Sequence, residues 1–67
     1  MRTFGMLREK IREQFGTLRI FADAMGMDYS SLSNKLNGKT AWNHYEIEKA
    51  CKLLGISIEE VHAYFFY

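Results

Sequence analysis

The sequence contains no proline and only one cysteine among its 67 residues. Proline breaks helix interiors, so its absence suits a helical chain, and a lone Cys51 excludes an internal disulfide. No stretch alternates apolar and polar residues with a period of two, so no strand is predicted. We find no signal peptide and no apolar run near the roughly 20 residues of a membrane span. We therefore expect a single all-α domain over residues 1–67, located in the cytoplasm on the nucleoid.

The charges of the chain nearly cancel, and the formal net charge is only +1. This is a weak electrostatic footprint for a nucleic-acid-binding protein. The distribution is uneven, however, because residues 29–45 contain no acid but carry Lys35 and Lys39, whereas four acids follow from Glu46 onward. The asymmetry fits either a DNA-facing surface or a solvated face that is basic by chance, and charge alone does not decide.

Apolar residues recur with helical spacing along the chain. The first predicted helix has a buried stripe of Phe4, Leu7, Ile11 and Phe15. Its charged side chains, Arg8, Glu9, Arg12 and Glu13, are expected to face water. The remaining apolar stripes follow residues that can cap a helix, namely Thr17, Asp28, Asn43 and Ser57. Asn43 and Ser57 are each followed three residues later by glutamate, as in a capping box. Five helices are therefore predicted.

The second and third predicted helices form a helix-turn-helix. Gly26 follows the last apolar residue of the second helix, where a left-handed C-cap favours glycine. In the third helix, Leu32 and Leu36 face the core, and the outer face carries short polar side chains without an acid. Two short helices joined at a glycine turn are typical of proteins that place the second helix in the DNA major groove.

Four side chains of the third helix are candidate base contacts: Tyr29, Ser30, Ser33 and Asn34. At about 100° per residue, Asn34 projects away from the core, and its amide can form two hydrogen bonds with adenine. Ser33 and Lys35 lie on the flanks, so we expect them to set affinity more than base preference. The alternative is an ordinary exposed polar face.

Seven side chains are candidate phosphate contacts: Thr17, Arg19, Lys35, Asn37, Lys39, Thr40 and Asn43. Several lie at predicted helix N-termini, where free N–H groups attract phosphate. Each of them, taken alone, also fits a plain surface position. Asp28 would bring a negative charge near the DNA, although the helix N-terminus partly neutralises it.

The central stretch resembles the helix-turn-helix of the phage repressor and Cro superfamily, also called the xenobiotic-response-element (XRE) type. The resemblance is carried by FADAMGM at residues 21–27 and SSLSNKLNGK at residues 30–39. It implies a compact five-helix bundle of lambda-repressor-like type, with Tyr29, Ser30 and Asn34 at base-contacting positions. Many members carry glutamine where Leu18 stands, and that glutamine contacts a phosphate and a recognition side chain. Leu18 cannot make this contact.

These features predict a Cro-like or repressor-like transcriptional regulator of a phage or prophage that binds double-stranded operator DNA without a cofactor. The rival is a protein-interaction module of the same fold, such as an antirepressor or antitoxin-type partner. Low net charge, Asp28 and the missing glutamine favour the rival, whereas the acid-free residues 29–45 favour DNA.

Neither a catalytic nor a metal site is predicted. Cys51 lies on an apolar stripe, where a small buried hydrophobe is the usual role, and His44 and His62 do not share a metal-ligand spacing with it. The chain ends in four aromatic residues, 64–67, which cannot all face one core. Phe66 and Tyr67 either form the contact of a homodimer or fold back over the first helix.

Overall fold

The computed structural model describes residues 4–66, and in this range it contains five α-helices and no strand. The helices are α1 (Gly5–Phe15), α2 (Leu18–Met25), α3 (Tyr29–Leu36), α4 (His44–Leu54) and α5 (Val61–Phe65). The predicted all-α fold class is therefore confirmed. None of the helices within this range is long and apolar enough to cross a membrane.

The core collects apolar side chains from every helix. Its largest fully buried members are Phe21, Leu7, Ile11, Leu32, Leu36 and Leu54. Burial of one such side chain contributes about 1.5–3 kcal/mol, which is how a chain of this size can hold together. Leu32 and Leu36 are both 0% exposed, so α3 is anchored from its inner face as the spacing predicts.

Two of the predicted side-chain caps form. The Thr17 hydroxyl oxygen accepts a hydrogen bond from the Ile20 N–H at 3.2 Å. Asn43 Oδ1 accepts from the Glu46 N–H at 2.8 Å, and Glu46 Oε1 accepts from the Asn43 N–H at 2.9 Å, which completes a capping box. Asp28 occupies the N-cap position of α3, but its side chain makes no capping hydrogen bond.

The predicted capping box at Ser57 and Glu60 does not begin a helix. Glu60 Oε1 accepts from both the N–H and the hydroxyl of Ser57, each at 3.1 Å. The Glu60 N–H, however, donates to the Ser57 carbonyl at 2.9 Å instead of to its hydroxyl. These residues therefore form a turn, and α5 begins only at Val61, with Glu60 in the N-cap position.

The aromatic tail folds back onto the body of the protein as far as Phe65. This side chain is 2% exposed, and its ring meets the Trp42 ring edge-on, with 5.1 Å between the ring centres. α5 also packs against α1. Phe66 remains 46% exposed, and Tyr67 lies outside the described residues, so the dimer contact stays a prediction.

Candidate nucleic-acid interface

The turn between α2 and α3 has the geometry that the glycine predicts. Gly26 has φ 75° and ψ 32°, in the left-handed region. The Gly26 N–H donates to the Asp23 carbonyl at 3.1 Å, and the Met27 N–H donates to the Ala22 carbonyl at 3.0 Å. Because these bonds satisfy carbonyls that the end of a helix leaves free, the chain can reverse tightly and place α3 across α2.

The outer face of α3 is available to a partner. Tyr29 is 40% exposed, Ser30 is exposed, and Ser33 and Asn34 are partly exposed. The backbone of Asn34 is held at the end of the helix, since its carbonyl accepts from the Lys39 N–H at 2.9 Å. The structure therefore brings the four candidate base contacts together on one helix whose opposite side is buried.

Arg19 and Tyr29 connect the start of α2 with the start of α3. The guanidinium carbon of Arg19 lies 4.4 Å from the centre of the Tyr29 ring, a cation–π contact. Both side chains line a shallow cleft with Arg12 and Thr17. Sequence analysis missed this pair, because the two residues lie in different helices and share no local spacing pattern.

Lys35, the cation of α3, is partly buried and has two partners within the protein. Its ammonium forms an ion pair with Glu46 Oε1 at 3.1 Å and donates to the Ala41 carbonyl at 3.2 Å. The Lys35 side chain is only 14% exposed. Its assignment as a phosphate contact stays a prediction, and a phosphate would have to displace Glu46.

Arg8 does not simply face water, as its position on α1 predicts. Its Nη2 donates to the Leu36 carbonyl at 3.0 Å and to Asn37 Oδ1 at 2.7 Å. The physical reason is that the last carbonyls of a helix are unpaired and carry partial negative charge, which attracts a cation. The side-chain oxygen of Asn37, another predicted phosphate contact, is therefore engaged by Arg8.

The remaining candidate phosphate contacts are exposed: Thr17, Arg19, Lys39, Thr40 and Asn43. Two of these also have structural roles, because the oxygens of Thr17 and Asn43 accept the capping hydrogen bonds described above. Lys39 follows Gly38, which has φ 76°. Lys39 is an exposed cation three residues after the C-terminal end of α3.

Cys51 is the single cysteine of the chain and lies partly buried on α4. Burial raises the pKa of the Cys51 thiol, whereas nucleophilic cysteines have a lowered pKa. No group of three His, Cys, Asp or Glu residues within residues 4–66 is arranged to hold a metal ion. The absence of enzymatic activity stays a prediction.

Comparison with known proteins places the chain in a family. Residues 2–67 match the family described as "Protein of unknown function (DUF739)". The fold is similar to the solution structure of the modulator of repression (MOR) of the temperate bacteriophage TP901-1 from Lactococcus lactis. The TM-score is 0.86 and the sequence identity 38%, over 97% of this chain and 88% of that chain. A comparison with curated proteins gave no match. The chain belongs to the DUF739 family.

Proposed function

We propose that this protein is a transcriptional regulator of a temperate phage or prophage that binds operator DNA by placing α3 in the major groove. The observation that carries the proposal is the exposure of Tyr29, Ser30, Ser33 and Asn34 on a helix anchored by two buried leucines. The similar solved structure is that of a modulator of repression, which supports a regulatory role.

The proposed base contacts divide by chemistry. Asn34 carries both a donor and an acceptor, so it is the side chain suited to pair with adenine. Tyr29 offers a ring edge for a thymine methyl group, and Arg19 covers one face of that ring. Ser30 and Ser33 are shorter, and either can donate to or accept from a base or a phosphate.

The proposed phosphate contacts are few, which predicts a shallow dependence of affinity on salt. The logarithm of the binding constant falls with the logarithm of salt concentration, by about 0.9 for each neutralised phosphate. Arg19 and Lys39 are the exposed cations among the candidates. Two such cations predict a slope of about 1.8 for each bound copy of the chain, which suits a chain with a net charge of +1.

A gel-shift titration at several salt concentrations tests DNA binding, with DNA fragments that flank the gene of this protein. Lys39→Ala should weaken binding to all sequences about equally and lower the salt slope by about one for each bound copy of the chain. Lys10→Ala is the matched control, since Lys10 is a partly exposed lysine of α1 outside the candidate contacts and lines a different cleft, beside Glu9 and Glu13. A binding constant that does not change with salt contradicts the proposal.

A dimer on DNA is part of the proposal. One recognition helix contacts too few base pairs for an operator, and paired half-sites lie about 34 Å apart in such complexes. Phe66 is the described candidate for the dimer contact, because it is 46% exposed and lines an apolar groove on α4.

A protein partner is the second candidate function. Lys35 is paired with Glu46 and Arg8 is docked onto the end of α3, so two cations near α3 already have partners in the protein. The similar phage protein is named a modulator of repression, which fits a protein that acts on a repressor. In that case the protein alone shifts no DNA, but it abolishes the shift given by the repressor of the same phage.

A further inference from the structure

The carboxylate of Glu46 contacts both α3 and the start of α4. Glu46 Oε1 accepts the Asn43 N–H at 2.9 Å and lies 3.1 Å from the ammonium of Lys35. The same ammonium donates to the Ala41 carbonyl at 3.2 Å. Glu46 therefore has two roles at once, in the capping box of α4 and as the counterion of α3.

We infer that Glu46 competes with the DNA backbone for Lys35 and thereby lowers the affinity of α3 for DNA. The inference rests on the proposed function. In the pair, the side chains of Lys35 and Glu46 are 14% and 21% exposed, so the ammonium is already paired with a carboxylate that a phosphate would have to displace. Glu46 therefore reduces the positive charge that α3 can offer to the DNA backbone.

Glu46 opposes the binding of Lys35 to DNA in two ways. A lysine has a long flexible stem that can redirect its ammonium to a phosphate, but doing so breaks the ion pair with Glu46. The carboxylate left behind is then an uncompensated negative charge near the DNA, which repels the backbone. Both effects oppose binding to every DNA sequence, so Glu46 lowers affinity without changing base preference.

Glu46→Gln separates the charge of this residue from its structural role. Glutamine also serves at the third position of a capping box, so its amide oxygen can still accept the Asn43 N–H. Glu48→Gln is the matched control, since it makes the same change of charge on the same helix. The Glu48 side chain is 57% exposed, and its Oε2 lies 3.2 Å from Nε2 of His44. His44 is one turn earlier in α4, so this partner belongs to α4 and not to α3.

The measurement is fluorescence anisotropy of a labelled operator over a series of salt concentrations. For each bound copy of the chain, Glu46→Gln should raise affinity about five- to tenfold near 0.1 M salt and steepen the salt slope by about 0.9, the value for one added phosphate contact. Glu48→Gln should leave the slope unchanged. Adding Lys35→Met to Glu46→Gln should return the slope to the wild-type value.

Lys35→Met in the otherwise wild-type chain gives an independent test that leaves Glu46 in place. Because Lys35 is already held by Glu46, this variant removes no phosphate contact, and the unpaired Glu46 should lower the salt slope by much less than about 0.9. A slope lowered by about 0.9 would show that Lys35 contacts phosphate despite Glu46 and would overturn the inference. Equal slopes for Glu46→Gln and Glu48→Gln would also overturn it. If the wild-type protein and all variants fail to bind DNA, the proposed function fails with it.

Discussion

Arg19, near the start of α2, and Tyr29, the first residue of α3, form a cation–π contact, with 4.4 Å between the guanidinium carbon and the ring centre. Arg19 thereby joins the first turn of α2 to the first residue of α3. An exposed cation–π contact contributes about 0.5–1 kcal/mol, so the link orients Tyr29 more than it stabilises the fold.

A double-mutant cycle measures this link. Arg19→Met keeps a flexible apolar stem and removes the cation, and Tyr29→Leu removes the ring. Each change should lower the free energy of unfolding by about 0.5–1 kcal/mol. The double variant should lose no more free energy of unfolding than one of the single variants does, because both changes remove the same contact. Tyr29→Phe is the control that keeps the ring. Fully additive losses in urea denaturation would show that the two side chains do not interact.

Asp28 is the N-cap residue of α3 and Asn43 that of α4, and replacing them should affect stability differently. Asn43→Ala removes a capping hydrogen bond and should cost about 1 kcal/mol, or roughly 4–8 °C in melting temperature for a domain of this size. Asp28→Ala removes no such bond and should change stability by less than about 0.5 kcal/mol. Thermal denaturation compares the two, and equal losses would contradict the cap geometry.

Hydrogen bonds from the Ser57 backbone N–H, and then from its hydroxyl, lower the pKa of Glu60. Because the pKa of Glu60 is lower in the folded than in the unfolded state, its contribution to stability is present above the unfolded-state pKa. That contribution is lost as pH falls through the folded-state pKa. Ser57→Ala should raise the pKa of Glu60 only in part, since the backbone donor remains. Titration by NMR checks this, with Ser30→Ala as a distant control.

Phe66 is exposed, and we expect its side chain to form part of the contact between two copies of the chain. Its ring lies near His62, with 6.2 Å between ring centres, and Ile58 beside the same groove is 84% exposed. Phe66→Ser should weaken self-association in sedimentation and lower cooperativity on a paired operator site. Ile20→Ser changes an exposed apolar residue of α2 and serves as the control. Unchanged cooperativity in Phe66→Ser would place the dimer contact elsewhere.

The elements that sequence predicts well depend on residues close together in the chain. Thr17 caps α2 through an N–H three residues later, and Asn43 and Glu46 cap each other over the same spacing. Gly26 takes the left-handed conformation that its position requires. Local physics settles such features, because the backbone groups involved are within reach before the chain is packed.

The contacts that sequence analysis missed join distant parts of the chain. Arg8 reaches Asn37 across 29 positions, and Lys35 is paired with Glu46 only because the connector brings α4 beside the end of α3. Helical spacing shows which face of a helix is apolar, but it does not show which other helix lies against its polar edge. The charges available for DNA therefore follow from packing and could not be predicted from local spacing.

The proposal that α3 contacts bases is tested most directly through Asn34. The affinities of wild-type protein and Asn34→Ala are measured on an operator selected from random DNA and on all its single-base-pair variants. Ser31→Ala, a partly exposed serine of α3 outside the candidate set, is the control. We predict that Asn34→Ala loses about 1–3 kcal/mol on the best site and no longer discriminates at one base pair. A profile parallel to that of the wild type at every position would contradict the assignment.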